Sequence, residues 1–310
     1  MPPTILDGKK IGAELRAEVA AVIVAHRASG LRAPGLAVVL AGENPASQVY
    51  VRNKIKACRE IGIQSIEQYL PAEVAPSAVV ELVKELNERK EVDGILIQMP
   101  LPKGHSADAL LDLLDPVKDV DGFTAVNTGR LQQGRPGHEA CTPAGIIELL
   151  RRYKLQLTGM NAVVVGRSNI VGKPMALLLL RENVTVTVAH SHTRDLPALC
   201  RKADLVVAAI GRPAFLGADC FQPGAVVVDV GMNRVDSSLL VEQWFPGDVK
   251  RKAEFDKNGA ILVGDVDPRA YPALSAYTPV PGGVGPLTIA QLMRNTLAAY
   301  EHREGIKPLF

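Results

Sequence analysis

The chain has 310 residues, of which 47% are hydrophobic and 22% are charged, and its formal net charge at pH 7 is +2. A chain of this length can bury a large core and is expected to form two domains. The small net charge gives no reason to expect nucleic acid or a membrane surface as a partner, and no apolar run is long enough to span a bilayer. The four cysteines lack the spacing of a metal site, so we expect free thiols, a cytoplasmic location and no bound metal.

Strand and helix signals alternate through the front half of the chain. The predicted strands are 36–41, 63–70 and 94–98, and the predicted helices are 45–61, 77–87 and 106–114. Asn44 offers an N-cap and Pro45 the first helical position for the helix that ends near residue 61. This alternation predicts an α/β layer in which helices cover a mostly parallel sheet.

Three polar side chains on the helix 45–61 point to a ligand site. Ser47, Tyr50 and Lys54 are three and four residues apart, so they share one helix face just beyond a strand's carboxyl end. There a tyrosine ring can stack on a flat substrate while the lysine one turn later reaches its reacting atoms. The alternative is an ordinary amphipathic helix with a half-buried tyrosine and a lysine whose ammonium reaches solvent.

Two loops favour the ligand interpretation. Gln98 ends the third predicted strand and leads through Met99 into two prolines. Asp119 and Asp121 flank a valine in the segment KDVDG at 118–122. Two carboxylates at this spacing could ligate a metal, but no histidine or cysteine set supports one. We expect one of them to accept hydrogen bonds from a substrate.

The back half predicts a dinucleotide-binding domain. Residues 161–174, NAVVVGRSNIVGKP, indicate a strand that ends at Gly166 and a helix that begins near Gly172. Glycine lets backbone N–H groups approach a pyrophosphate, although this spacing also fits an ordinary strand-to-helix turn. Three more apolar strands are predicted, at 184–190, 205–210 and 225–230. Apolar strands that end in glycine, as at Gly211, are typical of a buried parallel sheet with a ligand at its carboxyl edge.

The residues after the strand 184–190 indicate which dinucleotide is bound. An NAD site usually has an acidic residue here, whereas this chain has Ser191 followed by basic and hydroxyl side chains through Arg194. Together with Arg167 in the glycine turn, they suit the 2′-phosphate of NADP. The alternative is a solvated loop in which Asp195 caps the next helix.

Two further segments stand out near the C-terminus. Residues 278–288, TPVPGGVGPLT, predict a rigid loop that feeds a helix at 287–300, although a plain linker is an alternative. Because the loop should reach the substrate, the helix is expected to pack back on the first domain. The charged stretch 234–260, which contains Trp244, is expected to decorate the surface, although it could border the cofactor.

Five motifs, in order and over nearly the whole chain, resemble the bifunctional methylenetetrahydrofolate dehydrogenase/cyclohydrolase family. They are YVRNK at 50–54, GILIQMPLP at 94–102, KDVDGF at 118–123, VVVGRSNIVGKP at 163–174 and PVPGGVGPLTIAQL at 279–292. The resemblance implies NADP-dependent oxidation of 5,10-methylenetetrahydrofolate to the 5,10-methenyl cation. It also implies hydrolysis of that cation to 10-formyltetrahydrofolate. The enzyme would be a homodimer that acts in one-carbon metabolism.

The resemblance also implies roles for individual residues. Lys54 would be catalytic in the hydrolysis, Gln98 would hydrogen-bond it, Tyr50 would stack on the folate ring and Asp121 would anchor the pterin edge. The other residues expected at the folate are Ser47, Ile97, Met99, Pro281, Gly282, Gly283, Val284 and Gly285. The residues expected at NADP are Gly166, Arg167, Ser168, Ser191, Gly211 and Met232.

The expected architecture is two α/β domains with a cleft between them. Residues 1–140 plus 286–310 would form the folate-binding catalytic domain, and residues 141–285 a Rossmann-like NADP-binding domain. A shikimate-type dehydrogenase is the rival enzyme, because it also places a substrate domain before an NADP domain. A folate- or NADP-binding module without turnover is the non-enzyme alternative.

Overall fold

The computed structural model describes residues 2–307, which form two compact units. Residues 12–141 and 289–307 contain a three-stranded sheet and are called the three-stranded unit. Residues 2–11 and 142–288 contain a six-stranded sheet and are called the six-stranded unit. No helix within residues 2–307 is both long enough and apolar enough to cross a membrane.

The secondary structure is mixed along the whole chain. The strands are β1 (Thr4–Ile5), β2 (Gly35–Ala41), β3 (Gln64–Leu70), β4 (Gly94–Ile97), β5 (Asn161–Val165), β6 (Thr185–Ala189), β7 (Leu205–Ala208), β8 (Val226–Asp229), β9 (Asn233–Val235), β10 (Ile261–Val263) and β11 (Ala276–Tyr277). The α-helices are α1 (Gly8–Ala28), α2 (Pro45–Ile61), α3 (Pro76–Glu88), α4 (Ala107–Leu113), α5 (Ala125–Gln132), α6 (Cys141–Arg152), α7 (Gly172–Arg181), α8 (Leu196–Cys200), α9 (Ser238–Trp244), α10 (Val249–Asn258) and α11 (Gly285–Arg303). Short 3₁₀ helices occupy Ala218–Cys220 and Pro268–Ala273.

The sheet of the three-stranded unit is parallel, with the fully buried β2 between β3 and β4. The chain runs from β2 to β3 on one side and then crosses to β4 on the other. The carboxyl ends of β2 and β4 therefore flank a topological switch point, where α/β proteins place ligands. Asp119 pairs in parallel with Ile95 of β4, which brings the KDVDG segment to the same edge.

Helix α11 returns to the three-stranded unit, as the sequence predicts. Leu297 and Tyr300 from this helix lie in one buried cluster with Val38 of β2 and Val51 of α2. Arg303, in the last turn, donates to the Asp93 carboxylate at 2.6 Å. The end of the helix is thereby tied to the residue before β4.

The six-stranded sheet is parallel throughout, in the order β1-β11-β8-β7-β5-β6. The chain leaves β5 for β6 on one side and then crosses to β7 on the other. The switch point of this Rossmann-like sheet therefore lies between β5 and β7. The loops after β5, β6, β7 and β8 all emerge at the same carboxyl edge.

The N-terminal residues differ from the expected domain division. Thr4 and Ile5 pair with Ala276 and Tyr277 of β11, so residues 2–11 belong to the six-stranded unit. The prediction placed them in the other domain. A two-residue strand has no periodicity by which a sequence could reveal its partner.

The charged stretch 234–260 is a small substructure. Helices α9 and α10 connect the antiparallel strands β9 and β10, and Trp244 and Phe255 pack on a buried cluster that includes Val241. Arg251 of α10 lies over the Phe245 ring at 4.8 Å and donates to the carbonyl of Val280. The stretch lies largely at the surface, and through Arg251 it also contacts the chain just before the loop 281–285.

Candidate active site

Helix α2 places the three predicted side chains at the carboxyl edge of the three-stranded sheet. The Asn44 carboxamide accepts from the Ser47 amide at 3.1 Å, which starts the helix as the sequence predicts. Lys54 is nine-tenths buried, and its Nζ donates to Gln98 Oε1 at 3.1 Å. Tyr50 remains 38% exposed at this edge.

The loop after β4 fixes the orientation of Gln98. Its Nε2 donates to the carbonyl of Met99 at 2.7 Å, and the Ser47 hydroxyl donates to the same carbonyl at 3.4 Å. With its nitrogen bound there, the amide presents its oxygen to the Lys54 ammonium. Ile97, the last residue of β4, is buried beneath this loop.

The two carboxylates of KDVDG have different surroundings. Asp119 is fully buried and accepts four N–H hydrogen bonds, from the amides of Gly122, Phe123 and Thr124 and from the Asn127 side chain, at 2.8–3.1 Å. These bonds shape the loop and the start of α5. Asp119 therefore has a structural role, and Asp121 is the carboxylate that remains for a substrate.

Asp121 lies in a site whose electrostatics are set by burial and by Lys54. Burial raises the pKa of its carboxyl above the usual value, Lys54 lowers it, and Asp119 raises it again. Its side chain also hydrogen-bonds the Cys141 thiol, which burial keeps protonated by raising its pKa well above the usual value. The sequence reasoning missed Cys141, because a lone cysteine carries no pattern.

The glycine turn of the six-stranded unit is as tight as a dinucleotide site requires. A Cβ on Gly166 would lie 2.2 Å from the Ala209 carbonyl oxygen, and a Cβ on Gly172 would lie 2.2 Å from the Gly166 oxygen. The Ser168 hydroxyl accepts from the amides of residues 171 and 172 at 3.2 and 3.3 Å, and Arg167 is exposed. The residues present therefore fit NADP: the turn lies at the switch point and has no room for larger side chains.

The other predicted cofactor residues lie at the same edge of this sheet. Ser191 is exposed after β6, in a turn closed by a 2.8 Å hydrogen bond from the His190 amide to the Thr193 hydroxyl. Asp195 caps α8 by accepting from the Ala198 amide at 3.3 Å, so the N-cap expected at this residue is confirmed. The remaining two are Gly211, in the loop after β7, and the 40% exposed Met232, in the loop after β8.

The proline- and glycine-rich loop belongs to the six-stranded unit and packs on the start of α1. The Lys9 amide donates to the Gly282 carbonyl at 3.0 Å, and a Cβ on Gly8 would lie 1.6 Å from the Gly283 oxygen. Pro281 is exposed and Val284 is 5% exposed, and a Cβ on Gly285 would lie 3.3 Å from the Met232 methyl carbon. The loop is therefore an ordered part of this unit and not a loose linker.

The structure distributes the predicted residues over the two units. The three-stranded unit brings together Ser47, Tyr50, Lys54, Ile97, Gln98, Met99 and Asp121. The six-stranded unit holds Gly166, Arg167, Ser168, Ser191, Gly211, Met232 and the loop 281–285. Among residues 2–307 no three histidine, cysteine, aspartate or glutamate side chains are grouped so that they could hold a metal ion.

Comparison with known proteins gives one consistent result. The family described as "Tetrahydrofolate dehydrogenase/cyclohydrolase, catalytic domain" matches residues 6–121, and its "NAD(P)-binding domain" matches residues 140–304. The bifunctional protein FolD of Koribacter versatilis is 53% identical over 98% of this chain and 99% of its own.

Two solved structures agree with the sequence relatives. The FolD methylenetetrahydrofolate dehydrogenase/cyclohydrolase of Campylobacter jejuni has a TM-score of 0.87 and 40% identity, and it covers 97% of this chain and 99% of its own. The FolD of Trypanosoma brucei, complexed with NADP cofactor and an inhibitor, has a TM-score of 0.87 and 35% identity over the same shares.

Proposed function

Because the chain belongs to the tetrahydrofolate dehydrogenase/cyclohydrolase family, it carries out both of that family's reactions, and we propose that Lys54 acts in the second. It oxidises 5,10-methylenetetrahydrofolate to the 5,10-methenyl cation with NADP and hydrolyses that cation to 10-formyltetrahydrofolate. The observation that carries the proposal is the 3.1 Å hydrogen bond from the Lys54 Nζ to Gln98, beside Asp121. Family membership removes the shikimate-type alternative and the binding module without turnover.

The hydrolysis needs proton transfers that Lys54 can supply. Water attacks the methenyl carbon, a C–O bond forms, and the water proton passes to the Lys54 amine. The bond from that carbon to N5 then breaks as the hydroxyl oxygen forms the formyl carbonyl and loses its proton to solvent, and Lys54 gives the proton that it accepted to N5. The balance is the cation plus water giving the formyl product and one proton. Gln98 holds the amine in place through its oxygen, and the Met99 carbonyl holds Gln98.

The oxidation depends on positioning rather than on a protein acid or base. NADP, when bound, accepts the hydride removed from the methylene carbon. We assign Gly166, Arg167, Ser168, Ser191, Gly211 and Met232 to holding it, supported by the tight turn and by the shared carboxyl edge. Arg167 and Ser191, both exposed, are suited to the 2′-phosphate.

We assign the folate to side chains at the carboxyl edge of the three-stranded sheet and to the loop 281–285. Tyr50 would stack on the pterin, and Asp121, whose neighbour Asp119 is already saturated, would accept hydrogen bonds from the pterin edge. Ser47, Ile97 and Met99 would line the site. The loop of Pro281, Gly282, Gly283, Val284 and Gly285 would border the folate.

The test separates the two reactions. Lys54→Met should lose hydrolysis of 5,10-methenyltetrahydrofolate, followed by its absorbance, because a thioether transfers no proton. Lys56→Met, two residues along the same helix and exposed, is the matched control. A Lys54→Met enzyme that hydrolyses the cation at the normal rate would remove Lys54 from this role.

We further propose a cytoplasmic homodimer that supplies 10-formyltetrahydrofolate to purine synthesis. All four cysteines are buried free thiols, as expected in a reducing compartment. The edge strand β6 carries the exposed Val188, and α7 carries the exposed Leu180, which suits a partner surface. Light scattering should give twice the mass of the chain, and a monomer at working concentration would contradict the dimer.

A further inference from the structure

A fully buried carboxylate in the six-stranded unit accepts four N–H hydrogen bonds. Asp265 Oδ2 accepts from the amides of Ile210 at 2.6 Å and Gly211 at 2.9 Å. Its Oδ1 accepts from the Arg212 amide and from the Asn233 side chain, both at 2.9 Å. Such bonds offset the free-energy cost of removing the carboxylate from water, and they fix the positions of the donors relative to one another.

The four donors come from two loops at one edge of the sheet. Residues 210–212 follow β7, next to the switch point, and Asn233 is the first residue of β9, directly after Met232 and the loop that follows β8. Three consecutive amides that point at one carboxylate leave residues 210–212 little conformational freedom. Asp265 therefore sets both the shape of the β7 loop and its spacing from the β8 loop.

A second buried acid holds Asp265 itself. Asp229, the last residue of β8, accepts from the amides of Gly231 and Asp265 through Oδ1, both at 2.9 Å. Its Oδ2 accepts from the Val266 amide at 2.9 Å. The backbone that carries Asp265 is thus bound to the end of the strand that begins the second loop.

The two carboxylates are packed without free space. A Cβ on Gly231 would lie 2.3 Å from Asp265 Oδ1, and a Cβ on Gly264 would lie 1.9 Å from Asp229 Oδ2. Both positions therefore require glycine, because any larger side chain would collide with the carboxylate beside it. Such close packing transmits the position of Asp265 directly to the loops.

We propose that Asp265 is a positioning residue for NADP, which it holds through the loops that contain Gly211 and Met232 without touching it. The inference rests on the proposed placement of NADP at these two loops. A side chain needed only for stability could be apolar, since a buried charge is costly even when it is paired. Asp265 instead directs its oxygens to the two segments assigned to the cofactor.

The test is Asp265→Asn, assayed in both reactions of the full-length enzyme. In either orientation the amide nitrogen faces two of the four donors, so two hydrogen bonds are lost, either those from Ile210 and Gly211 or those from Arg212 and Asn233. The KM for NADP should rise about tenfold or more, as expected when roughly 1.4 kcal/mol or more of binding is lost. Hydrolysis of 5,10-methenyltetrahydrofolate, which consumes no NADP, should keep its kcat and KM.

Asp267→Asn is the matched control, because Asp267 is a buried acid two residues away that bonds Arg269. It should leave the KM for NADP unchanged. If Asp265→Asn lowers both reactions equally, or leaves the KM for NADP unchanged, the positioning role is overturned.

Met232→Ala separates that failure from a failure of the proposed cofactor site. If Met232→Ala raises the KM for NADP and Asp265→Asn does not, the positioning role alone is overturned. If neither variant changes it, the placement of NADP at these loops is wrong as well, and the inference falls with it.

Discussion

Replacing Asp119 by asparagine should destabilise the three-stranded unit. Each oxygen of the buried carboxylate accepts two N–H hydrogen bonds. An asparagine in either orientation puts its amide nitrogen against two donors, so two bonds are lost and two buried N–H groups are left unpaired. At about 2 kcal/mol for each such donor, the expected loss of unfolding free energy is about 4 kcal/mol.

Thermal denaturation measures this effect. A loss of about 4 kcal/mol corresponds to a fall in Tm of roughly 8–16 °C for a unit of this size. Asp112→Asn, at an exposed position on α4, is the control and should leave the Tm unchanged. A fall of less than about 2 °C for Asp119→Asn would refute the claim that this carboxylate holds the loop beside Asp121.

Two further predictions concern substrate binding. Because burial raises the pKa of Asp121, its carboxyl takes up a proton at a higher pH than an ordinary aspartate, so the KM for methylenetetrahydrofolate should rise as the pH falls through that raised pKa. Asp121→Ala should weaken folate binding far more than NADP binding and remove this pH dependence; equal losses for both ligands would contradict the assignment. Arg251→Met should raise the KM for the folate about threefold to tenfold, because the Val280 carbonyl loses a charged donor. Lys252 is exposed on the same helix, and Lys252→Met should leave the KM for the folate unchanged. An equal rise in KM for both variants would argue against the contact between Arg251 and Val280.

Most of the elements that build the site could be predicted from local signals. Apolar runs that end in glycine identified β2, β5, β7 and β8, and the Asn44–Pro45 pair identified the first turn of α2. These signals are short-range, since capping and burial on both sides of a strand need no knowledge of the partner. Helix α1 could have been predicted in the same way, because Ile11, Leu15 and Val19 recur at helical spacing. It is absent from the predicted elements.

The contacts within the site could not be predicted from spacing. Lys54 and Gln98 are 44 residues apart and meet only because β4 lies beside β2, so their pairing came from the family resemblance. The role of Asp265 was also missed, although an acid in the apolar segment GAILVGDVD carries a signal. A carboxylate that must be buried needs donors, and a sequence does not show that those donors lie in two distant loops.

The most direct test of the account measures both reactions of one Lys54→Met preparation. Hydrolysis of 5,10-methenyltetrahydrofolate should be largely abolished while NADP still binds with unchanged affinity, since Lys54 lies in the three-stranded unit and the assigned cofactor residues lie in the other. Normal hydrolysis would contradict the account. A parallel loss of NADP affinity would also contradict it, because the variant would then have disturbed more than the proton transfer.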